Sequence, residues 1–214
     1  RVIELDPGHA RAWMGRGDIL RAEGRFDESI AAYDGAIQAA SNESEPWAGK
    51  ALAYQGLNNY SASLIMMDKA IEIDGGNARY WSSKGLIYKK IGNDSESAAA
   101  FNRAAQIDPD CASCWNYLGL ALYRLGNYTD ALNAFDRAIE IDPDYLDPWN
   151  NKGIALVKGF ADLEEAIRCF DQAIMIDPDR MQAYVNKANI LYLENRTLEA
   201  DEAMQKARML GYKG

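Results

Sequence analysis

The five tryptophans of this chain recur at a constant interval of 34 residues. Trp13 is the first and Trp149 the last, and an aromatic side chain recurs as Tyr184, 35 residues further on. A constant period of this length indicates stacked copies of one supersecondary unit, which bury their apolar surfaces against each other. The 214 residues are therefore predicted to form a repeat array rather than a domain with one central core.

The tryptophans align six repeats, preceded by residues that match the end of a repeat. The segments are 1–9, 10–43, 44–77, 78–111, 112–145, 146–180 and 181–214. The match at 1–9 predicts a truncated preceding repeat and a longer parent protein. Each repeat has two runs of apolar residues at helical spacing, separated by a turn such as Gly92-Asn93. Repeat 5 has one extra residue, which we expect the turn near Gly159 to absorb.

The ends of the repeats are marked by Asp-Pro pairs such as Asp142-Pro143. Proline lacks a backbone donor and disfavours helix in the residue before it, so these pairs end the second helix. No stretch has the alternation of a strand. The predicted fold class is all-α, built from antiparallel helix pairs.

Small residues recur at fixed positions, with the tryptophan counted as repeat position 4. Position 8 is Gly or Ala, position 20 is Ser or Ala, and position 27 is Ala in all six repeats. Small side chains allow two helix backbones to approach closely, and large ones there would force them apart. Position 24 is bulky, and holds Tyr33, Met67, Phe101, Phe135, Phe170 and Met204. Treating Trp115 as buried, we expect its truncation to alanine to cost about 3–5 kcal/mol.

This pattern resembles the tetratricopeptide repeat, whose signature is Trp, Leu, Gly, Tyr, Ala, Phe, Ala and Pro at these positions. The resemblance covers nearly the whole chain and implies a right-handed superhelical solenoid. Position 7, usually Leu, departs from the signature. It holds Arg16, Lys50, Lys84, Leu118, Lys152 and Lys187. A long basic side chain can cover apolar surface with its stem while its charge reaches water, so the fold prediction stands.

The resemblance also implies a binding site, because the first helices of such repeats line a concave groove that commonly holds an extended peptide or a partner helix. Positions 2, 5, 6, 9, 12 and 13 would face this groove. The predicted peptide-binding residues are Leu52, Leu86, Lys89, Asn116, Tyr117, Leu120, Tyr123, Arg124, Asn150, Asn151, Ile154, Lys158, Asn186, Asn189 and Tyr192.

The chemistry of these residues suggests a class of ligand. An aliphatic row flanked by Lys and Arg favours an acidic, hydrophobic segment. Carboxamides both donate and accept, so they can pair with the backbone of an extended peptide. The alternative is that the amides are ordinary solvent-facing helix residues and the aliphatic row is packing between repeats.

The charge of the chain limits its partners. Lys and Arg number 23 against 32 Asp and Glu, a net charge of −9, which argues against binding to nucleic acid or to an anionic membrane surface. The last helix carries Met204, Met209 and Leu210. Its outer face is a candidate surface for homo-oligomerisation. A structural scaffold and a non-catalytic appendage of a larger enzyme are the alternative functions.

The cysteines offer the one motif with possible chemistry. Their odd number, three, makes a poor disulfide framework and favours a reducing, cytoplasmic location. Cys111 and Cys114 have the CxxC spacing of redox pairs and of half a zinc site, but the single histidine, His9, is about three repeats away. We interpret the pair as structural or incidental, and whether the two sulfurs bond is left open. The sequence predicts no catalytic residues, no metal site and no cofactor, and hence no enzyme.

Overall fold

The computed structural model describes residues 9–214, and the regular secondary structure in that range is helical. The helices are α1 Ala10–Ala22, α2 Phe26–Ala39, α3 Ser44–Gly56, α4 Tyr60–Ile73, α5 Ala78–Lys90, α6 Asp94–Ile107, α7 Ala112–Arg124, α8 Tyr128–Ile141, α9 Leu146–Phe160, α10 Leu163–Ile176, α11 Met181–Leu193 and α12 Thr197–Met209. Except for His9, the predicted end of a truncated repeat at 1–9 lies outside the described residues. None of the described helices is long and apolar enough to cross a membrane.

The chain divides into two compact units, Arg1–Asp108 and Pro109–Gly214. In the first unit, the helices from α1 to α6 form three antiparallel pairs, and the second helix of each pair packs on the first helix of the next. In the second unit, the helices from α7 to α12 are arranged in the same way. The predicted all-α architecture of stacked antiparallel helix pairs is confirmed within each unit.

The turn inside each pair requires one residue with a left-handed backbone. Gly92 and Gly126 supply it with φ of 75° and 82°, and Asn58 does so with φ of 56°. Repeat 5 differs, because α9 has 15 residues where the other first helices have 13. The extra residue therefore lengthens α9, and the turn begins at Ala161 with φ of 54°. The prediction that the turn near Gly159 absorbs it is wrong, since Gly159 is helical.

The tightest packing in each pair joins repeat positions 8 and 24. Phe135 is fully buried, and its ring lies 2.6 Å from where a Cβ on Gly119 would be. Gly17, Gly85 and Gly153 face Tyr33, Phe101 and Phe170 in the same way. Where position 8 is alanine, position 24 is methionine; these pairs are Ala51 with Met67 and Ala188 with Met204. At position 8, a glycine is needed only where the rigid ring at position 24 occupies the space that a side chain at position 8 would take.

We expect Gly119→Ala to destabilise the second unit, although alanine favours a helix by about 1 kcal/mol over glycine. The new methyl group would overlap the ring of Phe135, and overpacking of this kind costs about 1–3 kcal/mol. Adding Phe135→Met recreates the pair found in repeats 2 and 6, and should recover most of the loss. Urea unfolding of the two single variants and the double variant measures this. Additive losses in the double variant would contradict the packing argument.

The periodic tryptophans are partly buried rather than fully buried. The indole nitrogens of Trp81, Trp115 and Trp149 each donate to a backbone carbonyl six residues earlier, at 3.0 Å. Trp115, whose acceptor is the carbonyl of Pro109, is only partly buried. Its indole therefore ties the preceding loop to the helix. The expected cost of Trp115→Ala is too high, because that range applies to fully buried aromatic side chains.

The lysines at repeat position 7 form ion pairs between neighbouring repeats. Lys50, Lys84, Lys152 and Lys187 lie 2.5–2.6 Å from Asp34, Asp68, Asp136 and Asp171, each sixteen residues earlier. Burial alone would lower the pKa of Lys152, but the hydrogen bond and charge of Asp136 outweigh burial and raise it. In the repeat that has Leu118 at position 7, residue 102 is Asn. The departure from the family signature is thus a paired substitution.

Candidate functional site

Asparagine side chains connect the first helices of the second unit. The amide nitrogen of Asn151 on α9 donates to the amide oxygen of Asn116 on α7 at 3.0 Å. The amide nitrogen of Asn186 on α11 donates to the amide oxygen of Asn150 on α9 at 2.8 Å. Both bonds join position 5 of one repeat to position 6 of the next. Four of the predicted binding residues therefore form a regular series of amide pairs between repeats.

Asn116 is an interior residue of this series. It is 2% exposed, and its amide nitrogen donates to the hydroxyl of Tyr145 at 3.1 Å. Burial, followed by the charge of Asp147, raises the pKa of Tyr145, so this hydroxyl is neutral at pH 7 and can accept the bond. Both ends of the Asn116 amide are bonded to protein groups and the side chain is buried, so we assign it a structural role; its contact with a ligand stays a prediction.

The other amides keep capacity for a ligand. Within the described part of the chain, the amide nitrogen of Asn150 and the amide oxygen of Asn151 make no hydrogen bond to protein. Asn189 is exposed. A carboxamide has two donor hydrogens and an acceptor oxygen, so each paired residue can still bind a second group.

Apolar residues lie near these amides in the second unit. Leu120 and Ile154 are partly exposed, and Ile154 packs against the buried cluster of α9 to α12. Tyr117 is partly exposed, and the ring of Tyr123 meets that of Tyr128 edge-on at 5.7 Å. Among the remaining predicted residues, Lys158 and Arg124 are exposed, and the exposed Tyr192 donates its hydroxyl to Asp201 at 2.5 Å.

The first unit has a cavity of about 300 Å³ where the second unit has its amide pairs. Met14, Ala48, Leu52 and Met67 form its apolar part. Of the three predicted binding residues in this unit, Leu52 lines the cavity, whereas Leu86 and Lys89 do not.

Charged side chains of both signs surround this cavity. Tyr33 donates its hydroxyl to Asp18 at 2.7 Å, and Arg21 donates to the same hydroxyl at 3.4 Å. Burial and the bond to Asp18 raise the pKa of Tyr33, and the bond to Tyr33 raises that of Arg21. Glu45 and Arg79 are exposed at the rim. A ligand here would meet an apolar floor and a rim that can pair with either charge.

Sequence reasoning did not identify this cavity, although a signal was present. Apart from Met14, positions 5 and 6 hold small residues in the first unit, and two of these, Ala48 and Gly49, line the cavity. At position 5, Ala48 and Ser82 of the first unit stand where the second unit has Asn116 and Asn150. Among residues 9–214 there is no group of three His, Cys, Asp or Glu side chains that could hold a metal ion.

Comparisons with known proteins identify the repeats. Family models described as the tetratricopeptide repeat match residues 1–44, 44–77, 112–145 and 146–180, and a model described as the TPR repeat matches 85–126. A comparison with curated proteins finds no match.

Several solved structures have a fold similar to that of this chain. The crystal structure of YrrB, described as a TPR protein with an unusual peptide-binding site, has 23% identity and a TM-score of 0.72, and covers 85% of this chain and 93% of its own. A crystal structure of MamA has 19% identity and a TM-score of 0.71, with coverages of 75% and 93%. A structure of pilF from Pseudomonas aeruginosa has 14% identity and a TM-score of 0.79, with coverages of 96% and 93%.

These identities are low, so the structures show similarity of fold. The family models provide the assignment, because together they match most of the chain. The chain belongs to the tetratricopeptide repeat family.

Proposed function

We propose that this chain is a non-catalytic protein-interaction module that binds an extended peptide segment along the first helices of its repeats. The observation that carries the proposal is the amide series of the second unit, where Asn150, Asn151 and Asn189 keep unused donors or acceptors beside partly exposed aliphatic residues. Backbone groups of an extended peptide supply the complementary acceptors and donors at any sequence.

The first unit supports the same proposal with different chemistry. Its cavity of about 300 Å³ suits an apolar side chain, and Leu52 and Met67 would contact it. YrrB, described as having an unusual peptide-binding site, is a similar fold for which peptide binding is named. In the second unit, the exposed Lys158 and Arg124 favour acidic residues in the ligand.

The test uses a defined ligand, a peptide selected from a displayed library by its affinity for the whole chain. Asn150→Ala combined with Asn189→Ala should raise its Kd about 10-fold or more, because each lost hydrogen bond contributes about 0.5–1.5 kcal/mol. Asn133→Ala is the matched control, since Asn133 is an exposed amide on the second helix α8. Isothermal titration measures the Kd of the peptide for the unmodified chain, the double variant and the control. Equal affinities for the double variant and the control would reject the groove as the site.

Self-association through α12 is the alternative, and two observations bear on it. Leu198 and Met209 are 80% and 75% exposed, which favours it. However, the face that packs on a following repeat elsewhere is polar in α12. Where α10 has Leu163, Ile167, Asp171 and Ile174, α12 has Thr197, Asp201, Gln205 and Arg208.

These polar residues are exposed and can be solvated without a partner. Peptide binding is therefore the better supported function. Sedimentation across a range of concentrations separates the two, because self-association predicts a mass that rises with concentration and falls in a Leu198→Glu variant.

A further inference from the structure

The CxxC motif forms a disulfide at the beginning of α7. Cys111 and Cys114 are bonded, and Cys169 is the free cysteine. The three cysteines are thus one disulfide pair and one free thiol. Both members belong to a single helical turn, with Cys111 as the N-cap residue and Cys114 in the first turn.

A bond in this place is poorly suited to be a structural staple. A disulfide stabilises mainly by constraining the unfolded chain, and the constraint grows with the length of the loop that it closes. Here the two cysteines are only three residues apart, and the bond joins no second helix to the first. The hydrogen bond between the Trp115 indole and the carbonyl of Pro109 already ties this loop to α7. The disulfide therefore calls for another explanation.

The two sulfurs differ in their access to solvent. Cys114 is 1% exposed, whereas Cys111 is partly exposed. The Cys111 sulfur also accepts a hydrogen bond from the backbone N–H of Cys114 at 3.2 Å. In α4, α6 and α10 an Asn or Asp oxygen accepts the equivalent bond. The acceptor place at the helix N-terminus also suits a thiolate.

We propose that Cys111 and Cys114 form a thiol–disulfide exchange site, in which Cys111 reacts with external sulfur and Cys114 resolves the intermediate. In the oxidising direction, the Cys111 thiolate attacks one sulfur of a small disulfide, forms a mixed disulfide and releases one thiolate. Cys114 then attacks the Cys111 sulfur and expels the second thiolate. The protons of Cys111 and Cys114 pass to the two departing thiolates. The protein loses two electrons and the small disulfide becomes two thiols.

Access to solvent orders the two steps. An external molecule can reach only the Cys111 sulfur, and Cys114 can act only on a sulfur already attached to Cys111. Cys169 takes no part, because it is buried, and burial raises its pKa to about 12. The proposal rests on access to solvent and on the hydrogen bond at the Cys111 sulfur.

The test equilibrates the whole chain with buffers of reduced and oxidised glutathione, followed by an acid quench, alkylation and mass spectrometry. We expect one transition in which Cys111 and Cys114 gain or lose their bond together, while Cys169 is alkylated only after unfolding. The Cys114→Ser variant should accumulate glutathione on Cys111. The Cys111→Ser variant should carry at least 10-fold less glutathione on Cys114.

Other results would overturn the proposal. A pair that excess dithiothreitol reduces only in guanidinium would be a structural disulfide. Two thiols that stay reduced in oxidised glutathione would mean that no bond forms. Glutathione on Cys114 in the Cys111→Ser variant would mean that external disulfides reach Cys114 directly, which contradicts the proposed role of Cys111. Circular dichroism checks that each variant is folded, and Cys114→Ala replaces Cys114→Ser if the buried hydroxyl prevents folding.

Discussion

Phe135→Ala is expected to lower the free energy of unfolding of the second unit by about 3–5 kcal/mol. The Phe135 ring is 0% exposed, and the buried residues that cluster with it are Ala131 and Ala155. Its neighbour across the helix pair is Gly119, which has no side chain that could move into the space. The cavity would therefore stay open. The loss of stability would combine the burial free energy of the deleted ring with the van der Waals contacts that the surrounding residues lose. Urea unfolding monitored by circular dichroism measures the change.

Phe160→Ala is the control for this experiment. Phe160 is an aromatic residue in the same unit, but it is 50% exposed at the end of α9, so its truncation should cost less than about 1 kcal/mol. Neighbouring repeats stabilise one another, so the loss at Phe135 should also be visible in the fluorescence of Trp115 and Trp149. If both variants lost equal stability, the ring of Phe135 would not be the centre of its helix pair.

The helices could be predicted well from the sequence because the same contacts between helices recur in six repeats. The sequence shows that Gly at position 8 occurs with an aromatic ring at position 24, and Ala with methionine. It also shows the spacing of sixteen residues between Asp136 and Lys152, which form an ion pair. Both patterns follow from contacts between fixed positions of neighbouring helices, and a period makes such contacts predictable.

The candidate site was less predictable, since it depends on what surrounds each side chain. Asn116 and Asn150 occupy the same repeat position, yet only Asn116 is buried. Tyr145, at the N-cap of α9, bonds to the Asn116 amide, and the other first-helix N-caps have no tyrosine. Periodicity describes what repeats have in common, so a contact made once escapes it. The cavity near Leu52 has the same origin, because it depends on how small residues from two repeats combine.

Asn116→Ala is expected to cost about 1–3 kcal/mol of stability, the range for a buried hydrogen-bonding group removed from its partners. The change would leave the Tyr145 hydroxyl without its donor and the Asn151 amide without its acceptor. It would also open a small cavity in the first turn of α7. Thermal and urea unfolding measure the loss.

Asn150→Ala provides the matched comparison, since it removes the same side chain from the same repeat position of α9. Asn150 is partly exposed and bonds to one protein group, Asn186, so water can replace it and the loss should stay below about 1 kcal/mol. The order should reverse for peptide affinity, measured at temperatures where both variants are folded: Asn150→Ala should weaken peptide binding more than Asn116→Ala. Asn150→Ala removes an amide that the ligand can reach, whereas Asn116→Ala acts only through the position of Asn151. Equal losses of stability in the two variants would mean that burial does not separate the structural amide from the binding one.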